Sequence, residues 1–479
     1  MKTTVSLRPG TWQALSRGRT GAGSTLRAPE RWQTHTAAAA DALFDAGGLG
    51  YVTAGTVCAR GASYPMGLTA GEKQVAALGS LLLFFPDKKY LDLESGGWGS
   101  LEAHFSGSAA LTLCDENGNS YAPAVSATAP EAPEHGALWL DTSGAPALKR
   151  WSDTAARWVA QESYLKLANP GIAGFRAGDA ITLSGIAAGS GVIAAGAGYI
   201  VLSGEPVIPG SAAVTLRRAV PTFTAVVSAG GRLWGVSGGW AYASADGFTW
   251  EKAAPLGFVT AAASLDGKAV FFGENAIHTL TPSGAVQTLS APGMAGGTAA
   301  EVDGRLLYRA APGICAFDGS GAELLLPLPE AGTALCAALN GRCYISMAGH
   351  FLCWDGKTFH RLGEGDASAL CAAGNALYAA RGGVIQTLGA GDGAWQAWLT
   401  VTESACTLTA VTLTGRFPPG SSVRVFYDRG AGPEYLGTAA GAKRSCRLPV
   451  LPRKCGCLSL VLEAVGGAEV EAITAHLRE

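Results

Sequence analysis

Asp303-Gly304-Arg305-Leu306-Leu307-Tyr308 reads as a tight turn feeding an apolar strand, and the chain repeats it. Gly230-Gly231-Arg232-Leu233-Trp234, Asp266-Gly267-Lys268-Ala269-Val270-Phe271 and Asn340-Gly341-Arg342-Cys343-Tyr344 have the same form. A weaker fifth copy is Gly374-Asn375-Ala376-Leu377-Tyr378. The marker glycines at 231, 267, 304, 341 and about 375 are 36, 37, 37 and about 34 residues apart. Asp-Gly and Asn-Gly suit two-residue hairpins, whose central positions both need positive φ. One period reads as strand (Ala299 to Val302), turn, strand (Arg305 to Arg309), turn, strand (Ile314 to Phe317), turn, strand (Ala322 to Leu326). The next repeats it with Cys336 to Leu339, Arg342 to Ser346, His350 to Trp354 and Lys357 to Leu362. Four short antiparallel strands per roughly 36 residues make one blade of a β-propeller. The long stretches of 3.6 period that a helical repeat requires are missing.

Outward from this core, a sixth unit lies upstream, from Gln74 to Glu102. The expected fold is all-β: a six-bladed propeller, or seven-bladed if Ala42 to Gly71 forms another blade, with an inserted small β module and a C-terminal β-sandwich. The boundaries are an N-terminal arm over 1–73, suited to completing the ring, then one blade over 74–103. An inserted β-rich segment over 104–222 follows, then five blades over 223–400 and the sandwich over 401–479. Closing the ring through the N-terminus removes exposed strand edges. In the insertion, Trp139, Trp151, Trp158 and Tyr164 recur between turn residues and suggest a small aromatic-cored hairpin module. Clustered tryptophans also suit a sugar-stacking platform. Ala173 to Arg217 looks like a small barrel. Alternating stretches from Ala405 to His476 suggest the sandwich.

Composition agrees with a turn-dense β protein. Of 479 residues 67 are glycine, roughly twice ordinary usage. Charged residues are only 15% and mean hydropathy is +0.21, which excludes disorder. The glycines lack collagen's period of three. A net charge of -2 gives no basic footprint for nucleic acid or anionic membrane. Met1 to Gly10 lacks the apolar core of a secretory signal. Leu81 to Phe85 is too short to span a membrane, and the uncharged stretch Gly185 to Gly204 is so glycine-rich that it reads as hairpins. The 11 cysteines contain no Cys-x-x-Cys, and Cys315, Cys336, Cys343, Cys353 and Cys371 sit in apolar strands. They read as small buried hydrophobes, consistent with a reducing compartment. Cys455-Gly456-Cys457 has no nearby histidine to make a metal site.

The motifs that carry chemistry elsewhere fall on turns. Gly235-Val236-Ser237-Gly238-Gly239 matches the nucleophile-elbow pattern, which needs a following helix that is not expected here. Gly356-Lys357-Thr358 resembles the end of a phosphate loop, but its upstream Gly349 is misplaced. The seven histidines (35, 104, 135, 278, 350, 360 and 476) show no metal-ligand spacing. No catalytic, cofactor-binding or metal-binding residue is assigned, and no cofactor is expected.

Ser244-Ala245-Asp246-Gly247-Phe248-Thr249-Trp250 resembles the Asp-box hairpin of sialidases, one residue short. There it is an exterior fold element, not the catalytic site. Three further segments resemble structural proteins of tailed bacteriophages. These are Ala137 to Val159 ("LWLDTS…LKRW…W"), Arg232 to Trp234 with Tyr308 to Asp318 ("RLW", "YR…G…AFDG"), and Leu448 to Cys455 ("LPVLPRKC"). The resemblance is to propeller proteins of phages of Gram-positive bacteria and, by fold and length, to tail nozzle or packaged-DNA stabilisation proteins. It implies a non-enzymatic virion component, a tail or neck ring subunit made in the host cytoplasm. The implied partners are portal, adaptor or tail proteins in a homo-oligomeric ring, a hexamer among the options, with DNA passing through and no membrane insertion. The alternative is a host-surface or carbohydrate-binding propeller, with a sialidase-like glycosidase behind it.

Overall fold

The computed structural model describes residues 2–5, 12–16, 19–20 and 26–27, then 31–389 apart from 282, 295, 329–331, 357–358 and 364. It also describes 395–478 apart from 403–405, 430–431, 442–443 and 456. Every helix-or-strand element among these residues is a strand. None is a helix able to cross a membrane.

Seven four-stranded antiparallel sheets follow one another as propeller blades among the described residues. Blade 1 starts at Ala42–Asp45, blade 2 at Gln74–Leu78, blade 3 at Ala225–Ala229 and blade 4 at Ala261–Leu265. Blade 5 starts at Ala300–Val302, blade 6 at Leu335–Leu339 and blade 7 at Ala369–Ala373. Each of these innermost strands adjoins the next, and that of blade 7 adjoins that of blade 1, so the ring closes. The segment from Ala42 to Gly71, left open by the repeat, supplies the blade 1 strands Ala42–Asp45, Leu49–Thr53, Thr56–Ala59 and Ala62–Tyr64.

The turn chemistry sets this geometry. Asp303 and Gly304 take φ of 52° and 71°, and Asn340 and Gly341 take 52° and 69°, both central positions being left-handed. The two middle strands of a blade are buried on both faces, as in Gly313–Phe317, where all five residues are buried. Outer strands such as Glu251–Pro255 are mostly exposed. Innermost strands are alanine-rich (Ala261-Ala262-Ala263, Ala337-Ala338), which suits the narrow inner radius. Apolar seams join neighbouring blades: Phe272 packs on Tyr308 with ring centroids 4.8 Å apart, and both are 0% exposed.

Residues 1–73, expected as one arm, serve three purposes. Arg31–Thr36 pairs with Val384–Gly389 as the fourth strand of blade 7, and 42–64 is a blade of its own. Lys2–Val5, Trp12–Ser16 and Leu26–Arg27 join the terminal sandwich, pairing with Glu469–Arg478 and Trp395–Thr402. The sandwich, expected from 401–479 alone, is thus built from both ends of the chain. Its two sheets enclose Trp395, Val411, Val425, Leu460 and Ile473.

The insertion leaves blade 2 after Trp98–Ser100 and returns before Ala225–Ala229. Ala103–Cys114, Tyr164–Ala168, Thr182–Ser184, Val192–Gly196, Tyr199–Leu202 and Gly210–Arg218 form one six-stranded sheet. Its two edges meet through Ile181 N–H to Ser190 O (2.8 Å) and Val192 N–H to Asp179 O (2.9 Å), so the sheet wraps into a small barrel. A second sheet, Ala124–Ser126, Leu138–Asp141, Ala147–Ser152 and Arg157–Ala160, carries the tryptophans. Gly185 to Gly204 contains the hairpin Val192–Gly196 with Tyr199–Leu202.

Candidate functional site at the propeller mouth

All innermost strands start at one face of the ring, so the residue before each of them rims the channel. In three blades that residue carries a hydroxyl with a shared task. Thr224 donates its N–H and hydroxyl to Val236 O (2.8 and 3.2 Å), and Thr260 does the same to Phe272 O (2.8 and 2.9 Å). Ser368 repeats it on Ala380 O at 2.9 and 3.3 Å. In blade 5, Thr298 reaches across instead: its hydroxyl donates to Cys336 O (3.0 Å) and accepts the Cys336 N–H (2.7 Å), tying two blades together.

Beside Thr224, Thr260 and Thr298 opens a cavity of about 580 Å³ lined by blades 1 to 5. Half-buried Leu43, with the core residues Phe44, Phe85 and Phe223 behind it, gives the apolar side, and Thr224, Thr260 and Thr298 add to the lining. Gly297 closes one side at φ +89°, and a Cβ there would lie 2.0 Å from Ala334 O, so only glycine fits. Glu72, Lys73 and Gln74 supply the rest of the polar lining. Gln74 is committed to the seam between blades 2 and 3: its Nε2 donates to Thr224 O and its Oε1 accepts the Val226 N–H, both at 2.9 Å. Lys73 is buried, its Nζ 3.0 Å from Asp87 Oδ2 and donating to Thr69 Oγ1 at 2.9 Å. Burial by itself raises the Asp87 carboxyl, but hydrogen bonds from the Thr69 N–H and Lys73 outweigh it and hold it below the ordinary carboxylate range. Glu72 is exposed and is the one carboxylate among the described lining residues.

Outside the cavity, two aromatic side chains lie on the same face. Phe258 is 77% exposed and sits two residues before Thr260. Trp240 is 37% exposed, with Lys252 Nζ 3.6 Å over its ring. Their segments are joined by Leu256 and Gly257 N–H groups donating to Gly239 O at 2.9 and 3.0 Å.

The residues singled out from sequence do not converge here. Gly235 to Gly239 is a strand end and the hairpin turn before Trp240–Ser244, with no elbow. Gly356 is in a turn, while Lys357 and Thr358 lie outside the described residues. The histidines scatter: His278 bonds Thr288, His476 bonds Thr412 and His135 lies 3.5 Å from Asp153. The side chain of His360 lies outside the described residues. Cys315, Cys336, Cys343 and Cys353 are buried in blade strands. Trp139 and Trp151 each pack edge-on against Trp158, with centroids 5.4 and 5.6 Å apart. Trp139 is buried while Trp151 and Trp158 stay half-buried, and the buried cluster beside them is Leu113, Leu140 and Leu148. Asp246 binds the Phe248 and Thr249 N–H groups at 2.8 Å in the Asp-box-like turn, a fold element at the opposite face from the mouth. The mouth itself went unread in the sequence. Its signal is a Thr before an alanine- or valine-rich strand at nearly blade spacing (224, 260, 298).

No family model matches the chain, and no curated protein does. Among solved structures it is similar to an exo-β-1,3-galactanase of Phanerochaete chrysosporium with β-1,3-galactotriose (9% identity, TM-score 0.20, covering 51% of this chain and 93% of that one). A glycoside hydrolase also matches, at 10% identity and TM-score 0.19, covering 51% and 94%. So does the extracellular domain of a one-component-system protein of B. thetaiotaomicron, at 8% identity and TM-score 0.24, covering 84% and 86%. At such identities the likeness concerns the fold alone. The expected phage tail or neck ring subunit is corrected here. The similar structures are glycoside hydrolases and a sensor domain, and the segments that suggested a virion protein are fold elements. Tyr308 to Asp318 is a blade hairpin with its turn, and "LWLDTS" is the strand Leu138–Asp141 with a turn held by Asp141, which binds Ser143 N–H and hydroxyl at 2.9 and 2.7 Å.

Proposed function

We propose that the chain is a carbohydrate-binding propeller that takes the end of a saccharide into its mouth cavity without hydrolysing it. The observation that carries the reading is the cavity itself. Its volume, about 580 Å³, lies within the range of about 300–1,000 Å³ typical of small-ligand sites. Its lining pairs apolar wall with oxygen acceptors, matching the C–H faces and hydroxyls of a sugar ring. Glu72 accepts hydroxyl protons, and the threonine oxygens keep a lone pair for the same purpose while their own protons are held by backbone. Glycoside hydrolysis ordinarily needs two carboxyl groups flanking one bond. A single carboxylate among the described lining residues therefore supports binding over cleavage.

The test is a glycan array with the purified chain, followed by calorimetry on the best-bound sugar and an assay for released reducing ends. Glu72→Ala is expected to weaken binding by about tenfold or more, the worth of one charge-assisted hydrogen bond. A folded wild-type chain that binds no saccharide on the array, or that releases reducing ends, overturns the reading.

A further inference from the structure

Phe258 has no fold role that accounts for its exposure. It is 77% exposed in a blade connection, where a polar residue would cost nothing. Its backbone lies two residues, at most about 7 Å of chain, from the cavity-lining Thr260. Continuing outward, the Gly257 N–H bonds Gly239 O at 3.0 Å, and Gly239 is followed at once by Trp240. Thr260, Phe258 and Trp240 thus succeed one another from the cavity lip across the top of blade 3. The Trp240 ring has Lys252 Nζ 3.6 Å from its centroid, and the residue remains 37% exposed.

We propose that this strip extends the site, so that the ligand is a linear oligosaccharide. Its terminal unit occupies the cavity and its following units stack on Phe258 and then beside Trp240. The inference rests on the proposed saccharide reading and adds chain length and direction to it. Three features select this occupant over a second protein. The strip is small, its large apolar side chains being Phe258 and Trp240. It is continuous with a polar cavity, where a protein interface would have an apolar core. The Lys252 ammonium, stacked on Trp240, places a hydrogen-bond donor beside the aromatic surface, as a chain alternating C–H faces and hydroxyls requires.

The experiment is calorimetry on the full chain with length series of cello-, malto-, laminari- and galacto-oligosaccharides, from monosaccharide to hexasaccharide. Wild type should bind the longer members of its preferred series at least about tenfold more tightly than the monosaccharide. Phe258→Ala and Trp240→Ala should erase that gain while leaving monosaccharide affinity unchanged, whereas Glu72→Ala weakens both. Phe258→Leu, which keeps apolar bulk without a ring face, separates stacking from simple contact and should behave like the alanine variant. A length gain that survives both alanine substitutions, or variants that weaken the monosaccharide equally, overturns the strip while leaving the cavity reading intact. Failure of wild type to bind any monosaccharide or oligosaccharide overturns both.

Discussion

Replacing Asp179 by alanine should uncouple the insertion from the propeller. Asp179 Oδ2 lies 2.5 Å from Arg218 Nη1, the side chains are 1% and 2% exposed, and the Arg218 Nε donates to Leu101 O at 2.9 Å. Leu101 follows the last strand of blade 2 and Arg218 ends the last strand of the insertion, so the pair clasps the point of exit and return. The same Oδ2 also accepts the Arg176 N–H at 2.7 Å. Asp179→Ala leaves a buried guanidinium without its counter-charge and an amide without its acceptor. Breaking a buried pair from one side costs about 3–5 kcal/mol. Since each 1.4 kcal/mol is a factor of about ten, hydrogen exchange of the amides in 103–114 and 210–218 should accelerate by about two to three orders of magnitude. The double replacement Asp179→Leu with Arg218→Met removes both charges and should recover most of the loss, because an apolar pair of similar volume is often neutral. Exchange changed less than about tenfold in Asp179→Ala, or a double variant no better than the single one, would refute the reasoning.

Three further outcomes are expected. Gly297→Ala places a Cβ 2.0 Å from Ala334 O at φ +89° and should lower the melting temperature by several degrees, whereas Gly304→Ala, strained but facing open space, should lower it less. Phe272→Ala empties the seam against Tyr308 and should cost about 3–5 kcal/mol in denaturant unfolding. Asp92 and Asp318 are held to about 2, the first by the Ser95 and Ser80 hydroxyls and the second by the Ser320 and Gly321 N–H groups. An aspartate in the unfolded chain titrates near about 3.9, so their stabilisation is complete above that value and is lost as pH falls toward the folded one. An acid titration of the Asp92→Ala, Asp318→Ala variant should therefore show a shallower loss of stability below about pH 4 than wild type.

The propeller was legible because hairpin turns are chemically exacting. Asp303-Gly304 and Asn340-Gly341 are pairs that adopt two successive left-handed conformations at little cost, and their spacing gave the blade period before any packing was known. The middle strands followed, since Leu306, Leu307 and Tyr308 and all of Gly313–Phe317 are buried and their positions are apolar. What could not be read was pairing between distant segments. Trp12–Ser16 lies against Trp395–Thr402, almost the whole chain away, and nothing local in either segment specifies that partner. Blade 1 was ambiguous for a related reason. Its turns use Ala46-Gly47-Gly48 and Ala54-Gly55 instead of Asp-Gly, with Ala54 itself forced to φ 46°. The geometry is kept while the residue signal is lost.

The tail-subunit reading drew on the same features that made the fold readable. Turn pairs, strand apolarity and side-chain-capped turns such as those at Asp141, Asp246 and Asp318 are demanded by hairpins in any propeller, so they report the fold and nothing narrower. Information about a ligand resides where blades depart from their common pattern. At the position before the innermost strand, blades 3, 4 and 7 carry Thr224, Thr260 and Ser368, each bonded to its own second strand. Blade 2 carries Lys73 there instead, sealed against Asp87 and preceded by the exposed Glu72. Burying an ion pair at a position that a threonine fills more cheaply has a desolvation cost. That cost is borne at the cavity wall, in the same blade that presents the cavity's one described carboxylate. The side chains meeting there come from residues 43 to 298, brought together by ring closure. No window of sequence contains them, and only the departures from the repeat, blade against blade, mark where they meet.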